Sequence, residues 1–467
     1  MAMGKRKKRH QQKLWVESQS LPKSPGHPFY ERLSQILDEH GFDTFVEEEC
    51  AKFYAEKMGR PSLAPAVYFR MLLIGFFEGI DSERGIAWRV ADSMALRSFL
   101  GFELTDTTPD HSTISRNRRL IDVETHQAVF SWALAVLAEK GLLRGKTLGV
   151  DATTLEANAA MRSIVRRESG ESYEEYLQRL AKASGIETPR RADLARFDRK
   201  REGKKTSNDD WKNPNDPDAR ITKMKDGRTH LAHKAEHAVD METSAVVGVT
   251  VQPADRGDTS SLEKTLEETF ENLGSLLGDP AAEAGLSDDL ALELVTDKGY
   301  HSNAVLVSQK DAEIRTYLSE PDRGRRNWKG KAEAKDAVYG NRRRIRGKRG
   351  RALLRSRGEK VERTFAHCYE TGGMRRTHLR GHENIHKRLL IHVMGYNLSL
   401  VLRQLFGFGT PRSLQGAFSA FAGAFGAHER LWEALWGWIW AHRLLEIVSV
   451  VLKVRFRTSQ LAARSVA

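Results

Sequence analysis

Cysteine is nearly absent from this chain of 467 residues: Cys50 and Cys368 stand far apart and form no CxxC pair. That excludes a disulfide framework and a cysteine-ligated zinc centre, and it fits a reducing compartment, the cytoplasm. No internal repeat is visible. The basic opening "GKRKKRH" is not followed by an apolar stretch, so a secretory signal is not expected. The one strongly apolar late run, "LWGWIWAHRLLEIVSVVL" (Leu435 to Leu452), is interrupted by His442, Arg443 and Glu446. It reads as a buried or partner-facing helix before a membrane span. Acidic residues are the scarcer charge, 62 against 75 Lys and Arg, for a net +13. An excess of that sign calls for a polyanionic partner, nucleic acid before membrane.

What is present falls into segments of different period. Residues 1–27 are a basic tail. From 28 to 145 apolar residues recur at helical spacing, as in "AVYFRMLLIGFFEGI" and "IAWRVADSMALRSFLGF", and predict an all-helical domain. From 146 to 408 the period changes. "KTLGVDATTLEAN", "HLAHKAEHAVDMET" and "SAVVGVTVQPA" predict three strands, the last two joined by a short turn at Glu242–Ser244. "TSSLEKTLEETFENLGSLL" predicts an amphipathic helix capped by Asp258 or Thr259. "LALELVTD" and "EIRTYLSE" are two further strands with the short helix "NAVLVSQKD" between them. Two long helices close the segment, so the domain is of mixed α/β class. A polar insertion, 161–228, separates the first two strands. Residues 409–467 form a C-terminal helical tail without an assigned role.

The chemistry-bearing residues are acids at strand ends. Asp151 lies on the first strand and Asp297 ends the fourth, in "VTDKGYHS". A lone Asp at a strand end is usually a turn or cap residue; two on neighbouring strands point into one crevice. A third acid is sought on the following helix among Glu359, Glu362 and Glu370. Glu362 adjoins the apolar edge made by Val361 and Phe365, one turn apart, and Glu359 is the fallback. Three converging carboxylates repel one another, and hard cations such as Mg²⁺ or Mn²⁺ answer that repulsion. Two such ions about 4 Å apart serve phosphodiester chemistry.

These motifs resemble bacterial insertion-sequence transposases of the DDE type, especially the IS-eleven-eighty-two-like group. The resemblance is carried by "GVDATTLEAN", "VTDKGYHS" and "VERTFAHCYETGGMRRTHLRG", and in the helical domain by "GRPSLAPAVYFRMLLIGFFEGIDSERGIAWRVADS" and "TPDHSTISRNRR". It covers roughly residues 29–403. It implies a ribonuclease-H-like catalytic domain with Asp151, Asp297 and Glu362 as the catalytic and metal-binding triad, two Mg²⁺ ions (Mn²⁺ as a substitute), and at least a homodimer on double-stranded DNA. The implied activity is binding of the element's terminal inverted repeats, hydrolytic cleavage of its ends and joining of the 3′-hydroxyl to target DNA. Two alternatives stay open: a metal-dependent nuclease on the same fold without strand transfer, and a non-catalytic DNA-binding regulator. Related transposases often carry Arg four residues before the Glu and Lys seven after it. Here those positions hold Gly358 and Tyr369, which leaves Arg357, Arg375 and Arg376 as the nearby phosphate-binding candidates.

Two basic elements add to the DNA reading. From Arg323 to Arg351 thirteen Lys or Arg face two acids, Glu333 and Asp336. We expect a basic loop beside the acids in which Arg342, Arg343, Arg344 and Arg346 hold a DNA backbone. In "TPDHSTISRNRRLI" a short helix capped by Asp110 or Ser112 presents Thr113, Arg116 and Arg119 as a candidate recognition face. His230 and His233 fall on opposite faces of a strand, so with His237 they are not expected to bind zinc. His301, close to Asp297, reads as a DNA or water contact or as a structural hydrogen bond.

Overall fold

A computed structural model describes residues 26–55, 62–103, 105–186, 189–200, 207–224, 226–322, 324 and 326–416. The expectations for the N-terminal basic run, most of the C-terminal tail and the apolar run 435–452 fall outside them. The chain divides after Gly407 into two compact units, and the first holds the helices and strands from Pro28 to Phe406.

Among the described residues the unit opens with seven α-helices: α1 (Pro28–Glu39), α2 (Phe42–Cys50), α3 (Pro65–Glu78), α4 (Glu83–Asp92), α5 (Met94–Phe99), α6 (His111–Leu120) and α7 (Val123–Glu139). Their starts obey local chemistry. Pro65 opens α3, while Asp110 and Asp122 cap α6 and α7 by accepting from Thr113 N and Thr125 N, both at 2.8 Å. α3 is buried on nearly every side, and its Arg70 is 5% exposed. The guanidinium is answered by Asp43 (2.8 and 3.1 Å) and Asp38 (2.8 Å), which tie α1, α2 and α3 together. Such a charge is tolerated inside only because it is fully partnered.

The chain then enters a mixed sheet: β1 (Thr147–Glu156), β2 (Val165–Arg166), α8 (Tyr173–Ala183), α9 (Arg191–Lys200), β3 (Trp211–Lys212), β4 (Arg220–Lys223), β5 (Thr229–Asp240), β6 (Val246–Pro253), α10 (Asp258–Gly274), α11 (Pro280–Glu283), β7 (Glu293–Thr296), α12 (Asn303–Asp311), β8 (Arg315–Leu318), α13 (Ala332–Arg346), α14 (Lys348–Phe365) and α15 (His382–Phe406). The order across the main sheet is β4-β5-β1-β7-β8, with β6 also paired to β5. β7 and β8 run parallel to β1, and β5 runs antiparallel to it. α10 packs on β5 and β6, while α14 packs on β1 and β7. α15 is the apolar spine, buried from Ile385 to Leu402 against α3, α7 and β6. It lies in the one stretch of the described residues long and apolar enough to cross a membrane, and 72% of that window is buried.

Three expectations are corrected. The basic segment 323–351 is not a loop from Ala332 onward: it is α13 and the start of α14. Ala337, Val338 and Asn341 are buried at helical spacing, and Asn341 both donates to Leu318 O (2.8 Å) and accepts from Leu318 N (2.9 Å) along the outer edge of β8. The insertion read only as polar carries a small core that includes Ile164, Trp211, Ala219 and Ile221, and it holds β2, β3 and β4. Lastly, α10 is capped by neither Asp258 nor Thr259: Gly257 holds the cap position, and the Asp258 carboxylate turns instead to Lys234 Nζ at 2.7 Å.

One buried group makes stability depend on pH. His126 Nδ1–H donates to Asp122 O (2.7 Å) and Nε2 accepts from the Tyr68 hydroxyl (3.2 Å), so the ring is held neutral. Burial pushes its pKa from 6.5 down to about 3. Below the unfolded value the unfolded chain binds a proton that the folded chain refuses. The contribution is therefore present above about pH 6.5 and is lost progressively down to about pH 3, at about 1.4 kcal/mol per pH unit. His237 and His392 are buried with pKa values pushed down to about 3 as well, so urea unfolding between pH 7 and 5 should show a slope steeper than one histidine's, and His126→Gln should lower it by about 1.4 kcal/mol per pH unit.

Candidate active site

The parallel register of β1 and β7 creates the site. Gly149 stands opposite Val295, and Asp151 and Asp297 each follow two residues later. Side chains alternate along a strand, so Asp151 leaves the face of Gly149, and Asp297, one residue past the end of β7, lies near enough for its charge to act on Asp151. Asp151 is half-buried. Its Oδ1 accepts from Ala152 N at 2.8 Å and its Oδ2 from Arg357 Nη1 at 2.7 Å. Burial raises the Asp151 pKa; Arg357 opposes the rise and the charge of Asp297 adds to it. Asp297 also does what a lone strand-end acid does: its Oδ1 accepts from Gly299 N at 2.7 Å and caps the turn Lys298–Tyr300. Cap and candidate site residue are thus the same side chain.

Glycine at 149 leaves room for Met241 and α14 over this face. A Cβ there would stand 2.4 Å from Met241 Sδ and 3.3 Å from Val361 Cγ2. The helix turns Arg357, Val361 and Thr364 to the sheet. Thr364 Oγ1 lies 3.1 Å from His237 Nδ1, and His237 Nε2 accepts from Tyr369 OH at 3.1 Å. Glu362 is five residues beyond Arg357, which rotates it roughly 140° from the direction of Arg357. It sits on the exposed face of α14. Glu359 is exposed too and pairs with Arg363 at 2.6 Å, and Glu370 pairs with Arg375. The structure therefore brings Asp151 and Asp297 together and leaves all three third-acid candidates outside. Among the described residues no group of three or more His, Cys, Asp or Glu is gathered for a metal. The two aspartates nevertheless fit a hard divalent cation in donor chemistry: both offer carboxylate oxygen, and each charge raises the cost of the other.

The arginines divide into those tied inward and those left at the surface, where Arg375 and Arg376 still pair with Glu370 and Glu156. Arg342 binds Glu320 through two bonds, 2.6 and 2.7 Å, and Arg344 donates to Thr316 O (2.8 Å) and Oγ1 (2.7 Å). Both fasten α13 to the end of β8. Arg343 and Arg346 are exposed, as are Arg375 and Arg376. Tyr369, in the place of the expected lysine, is buried and spent on His237. On α6, Arg116 and Arg119 are exposed and Thr113 is half-buried, its Oγ1 donating to Asp110 at 3.1 Å. Arg118 faces inward to Glu83 (2.8 Å) and Asn384. His230 lies 2.9 Å from Asp226, His233 is buried 3.0 Å from Asp216, and His301 is buried.

Residues missed in the sequence lie beneath the site: Lys234, Glu236 and Tyr300, all buried. The available signal was the pair of charges in the middle of "HLAHKAEHAVD", where a central strand should be apolar. The division of the arginines is open to measurement. Arg342→Ala and Arg344→Ala should each cost about 1–3 kcal/mol in urea unfolding, because they strip charge-assisted bonds from half-buried groups. Arg343→Ala and Arg346→Ala should stay within about 0.5 kcal/mol of wild type.

With this geometry in place, comparison with known proteins is specific. No curated protein matches the chain. Residues 17–120 match the family described as Transposase domain (DUF772). Residues 199–398 match the Transposase DDE domain, a span that contains Asp297 and Glu362 and begins after Asp151. The two matches, one on the helical region and one on the sheet region, support one assignment: an insertion-sequence DNA transposase of the DDE kind.

Proposed function

We propose that the protein binds the terminal inverted repeats of its own insertion sequence, cleaves the ends hydrolytically and joins the freed 3′-hydroxyl to target DNA, acting as at least a dimer on DNA. The observation that carries the reading is the parallel β1–β7 register, which sets Asp151 on β1 and Asp297 just past the end of β7, with the charge of Asp297 acting on Asp151. A ribonuclease-H-like fold is what a DDE domain implies, and a mixed sheet with α10 on one side and α14 on the other is in keeping with it. Asp151 and Asp297 would hold two divalent ions, Mg²⁺ or Mn²⁺. When bound, such ions activate an attacking oxygen and stabilise a leaving one. Glu362 is retained as the third acid on the resemblance of "VERTFAHCYETGG", with Glu359 as its rival.

The chain's own groups divide the remaining work. Arg357 lies against Asp151 and is the cation nearest to where a scissile phosphate would enter. Arg343, Arg346, Arg375 and Arg376 offer exposed charge for the DNA backbone. Arg342 and Arg344 are tied inward and serve this role less. Thr113, Arg116 and Arg119 on α6 are proposed to read the terminal repeat, since an exposed arginine on a short capped helix can reach a base edge in the major groove.

Incubation with the DNA flanking its own gene and Mg²⁺, followed by mapping of cut and joined ends, tests the activity; cutting without joined ends would favour the nuclease alternative. Asp151→Asn and Asp297→Asn should each abolish cleavage while end binding persists. Each keeps the shape and removes a negative ligand. Glu362→Gln should do the same; loss in Glu359→Gln with normal cutting in Glu362→Gln would move the third acid one turn back. For the basic surface, Arg343→Ala with Arg346→Ala should lower the log–log salt slope of binding by about 0.9 for each lost phosphate contact on duplex DNA. An unchanged slope assigns those residues to solvent.

A further inference from the structure

β5 is a central strand, yet in its middle it carries Lys234 and Glu236, 4% and 0% exposed, besides the buried Asp240 at its end. Glu236 is registered opposite Ala152 and Asp151 opposite His237, so Glu236 projects from the α10 side of the sheet and Asp151 from the α14 side. The Glu236 carboxylate accepts three hydroxyls: Tyr300 at 2.7 Å, Ser261 at 2.9 Å and Thr265 at 2.5 Å. Lys234 Nζ stands 3.8 Å away and donates to Ser261 Oγ and Asp258 Oδ1, both at 2.7 Å. One buried acid thus links β5, the first turns of α10 and the turn that follows Asp297.

That turn is held from two sides. Tyr300, three residues after Asp297, is tied down to Glu236. Gly299, between them, lies against Asp258: a Cβ there would stand 2.2 Å from Asp258 Oδ2 and 3.0 Å from Asp297 Oδ1. The Lys234 ammonium holds Asp258 in that place. The Tyr300 ring is fully buried, so its packing survives removal of the hydroxyl while the link to Glu236 does not.

We propose that Glu236 and Tyr300 are positioning residues, whose mutual bond sets the place of the Asp297 carboxylate relative to Asp151 and thereby the rate of strand cleavage. The proposal rests on the reading of Asp297 as a site acid. Neither residue touches DNA; both act through the turn. A displacement of about 1 Å at a reacting geometry costs on the order of 100-fold in rate.

The test uses the full chain, Mg²⁺ and a duplex carrying the sequence that flanks its own gene. Tyr300→Phe should lower kcat for strand cleavage by about 100-fold, with KM, the Kd for DNA and the thermal midpoint close to wild type. Glu236→Gln keeps the shape, cannot accept all three hydroxyls and should move kcat in the same direction. The double variant should be no slower than the slower single one, because both cut the same link. Wild-type kcat in both single variants overturns the proposal. So does a loss of kcat matched in both by weaker DNA binding or a collapsed thermal midpoint, which would make the network a fold element only. Asp297→Asn is the separate control: cleavage that survives it removes the underlying reading of the acid, whereas its loss beside unimpaired Tyr300→Phe and Glu236→Gln removes only the positioning role.

Discussion

Like charges brought close by two neighbouring parallel strands must be answered, and much of the surrounding structure does so. The β1–β7 register brings Asp151 and Asp297 to one edge, where the second charge raises the first. Arg357 reaches across from α14 to Asp151, and the Asp297 turn spends one carboxylate oxygen on its own Gly299 N–H. Gly149 eases the arrangement, since a Cβ there would crowd the Met241 thioether at 2.4 Å and Val361 of α14 at 3.3 Å. A hard divalent cation, the usual companion of a DDE domain, meets the same electrostatic demand.

The excess of positive charge has two destinations. Part of it is consumed in holding the fold: Arg70 among α1–α3, Arg118 on Glu83, Arg342 and Arg344 at the end of β8, and Arg349 on Glu293 at 2.6 Å. The rest is left on the surface, as at Arg116, Arg119, Arg343 and Arg346. A net charge summed over the chain cannot distinguish the two, because an arginine bonded to a buried carboxylate and one facing solvent count alike. The exposed fraction is what a polyanion would meet.

Several elements were legible because their signals are local. Asp110, one of the two caps read for the short basic helix, caps it through a hydrogen bond that spans three residues. The short helix after "VTDKGYHS" is observed over Asn303–Asp311, the span read from its sequence. Asp151 and Asp297 were found because an acid closing an apolar run is conspicuous. Less legible was the basic segment. Its charge suggested a loop, yet buried Ala337, Val338 and Asn341 at helical spacing dock it on β8. Asp258 looked like a cap in sequence and proved to be the partner of Lys234, a residue 24 positions earlier.

By itself, then, the sequence determined the helical first region, the strands that carry the two aspartates, the basic balance and the resemblance to DDE transposases, since each depends on residue type and short-range period. Tertiary structure alone decided which charges meet. The phase of α14, set by Val361 and Thr364 packing inward, turns Arg357 toward Asp151 and Glu362 toward solvent. The strand register places Glu236 under the Asp297 turn on the far face of the sheet from Asp151. Helix phase and strand register arise from contacts between segments up to some two hundred residues apart, as between Arg357 and Asp151, and such contacts leave no periodic mark in either segment.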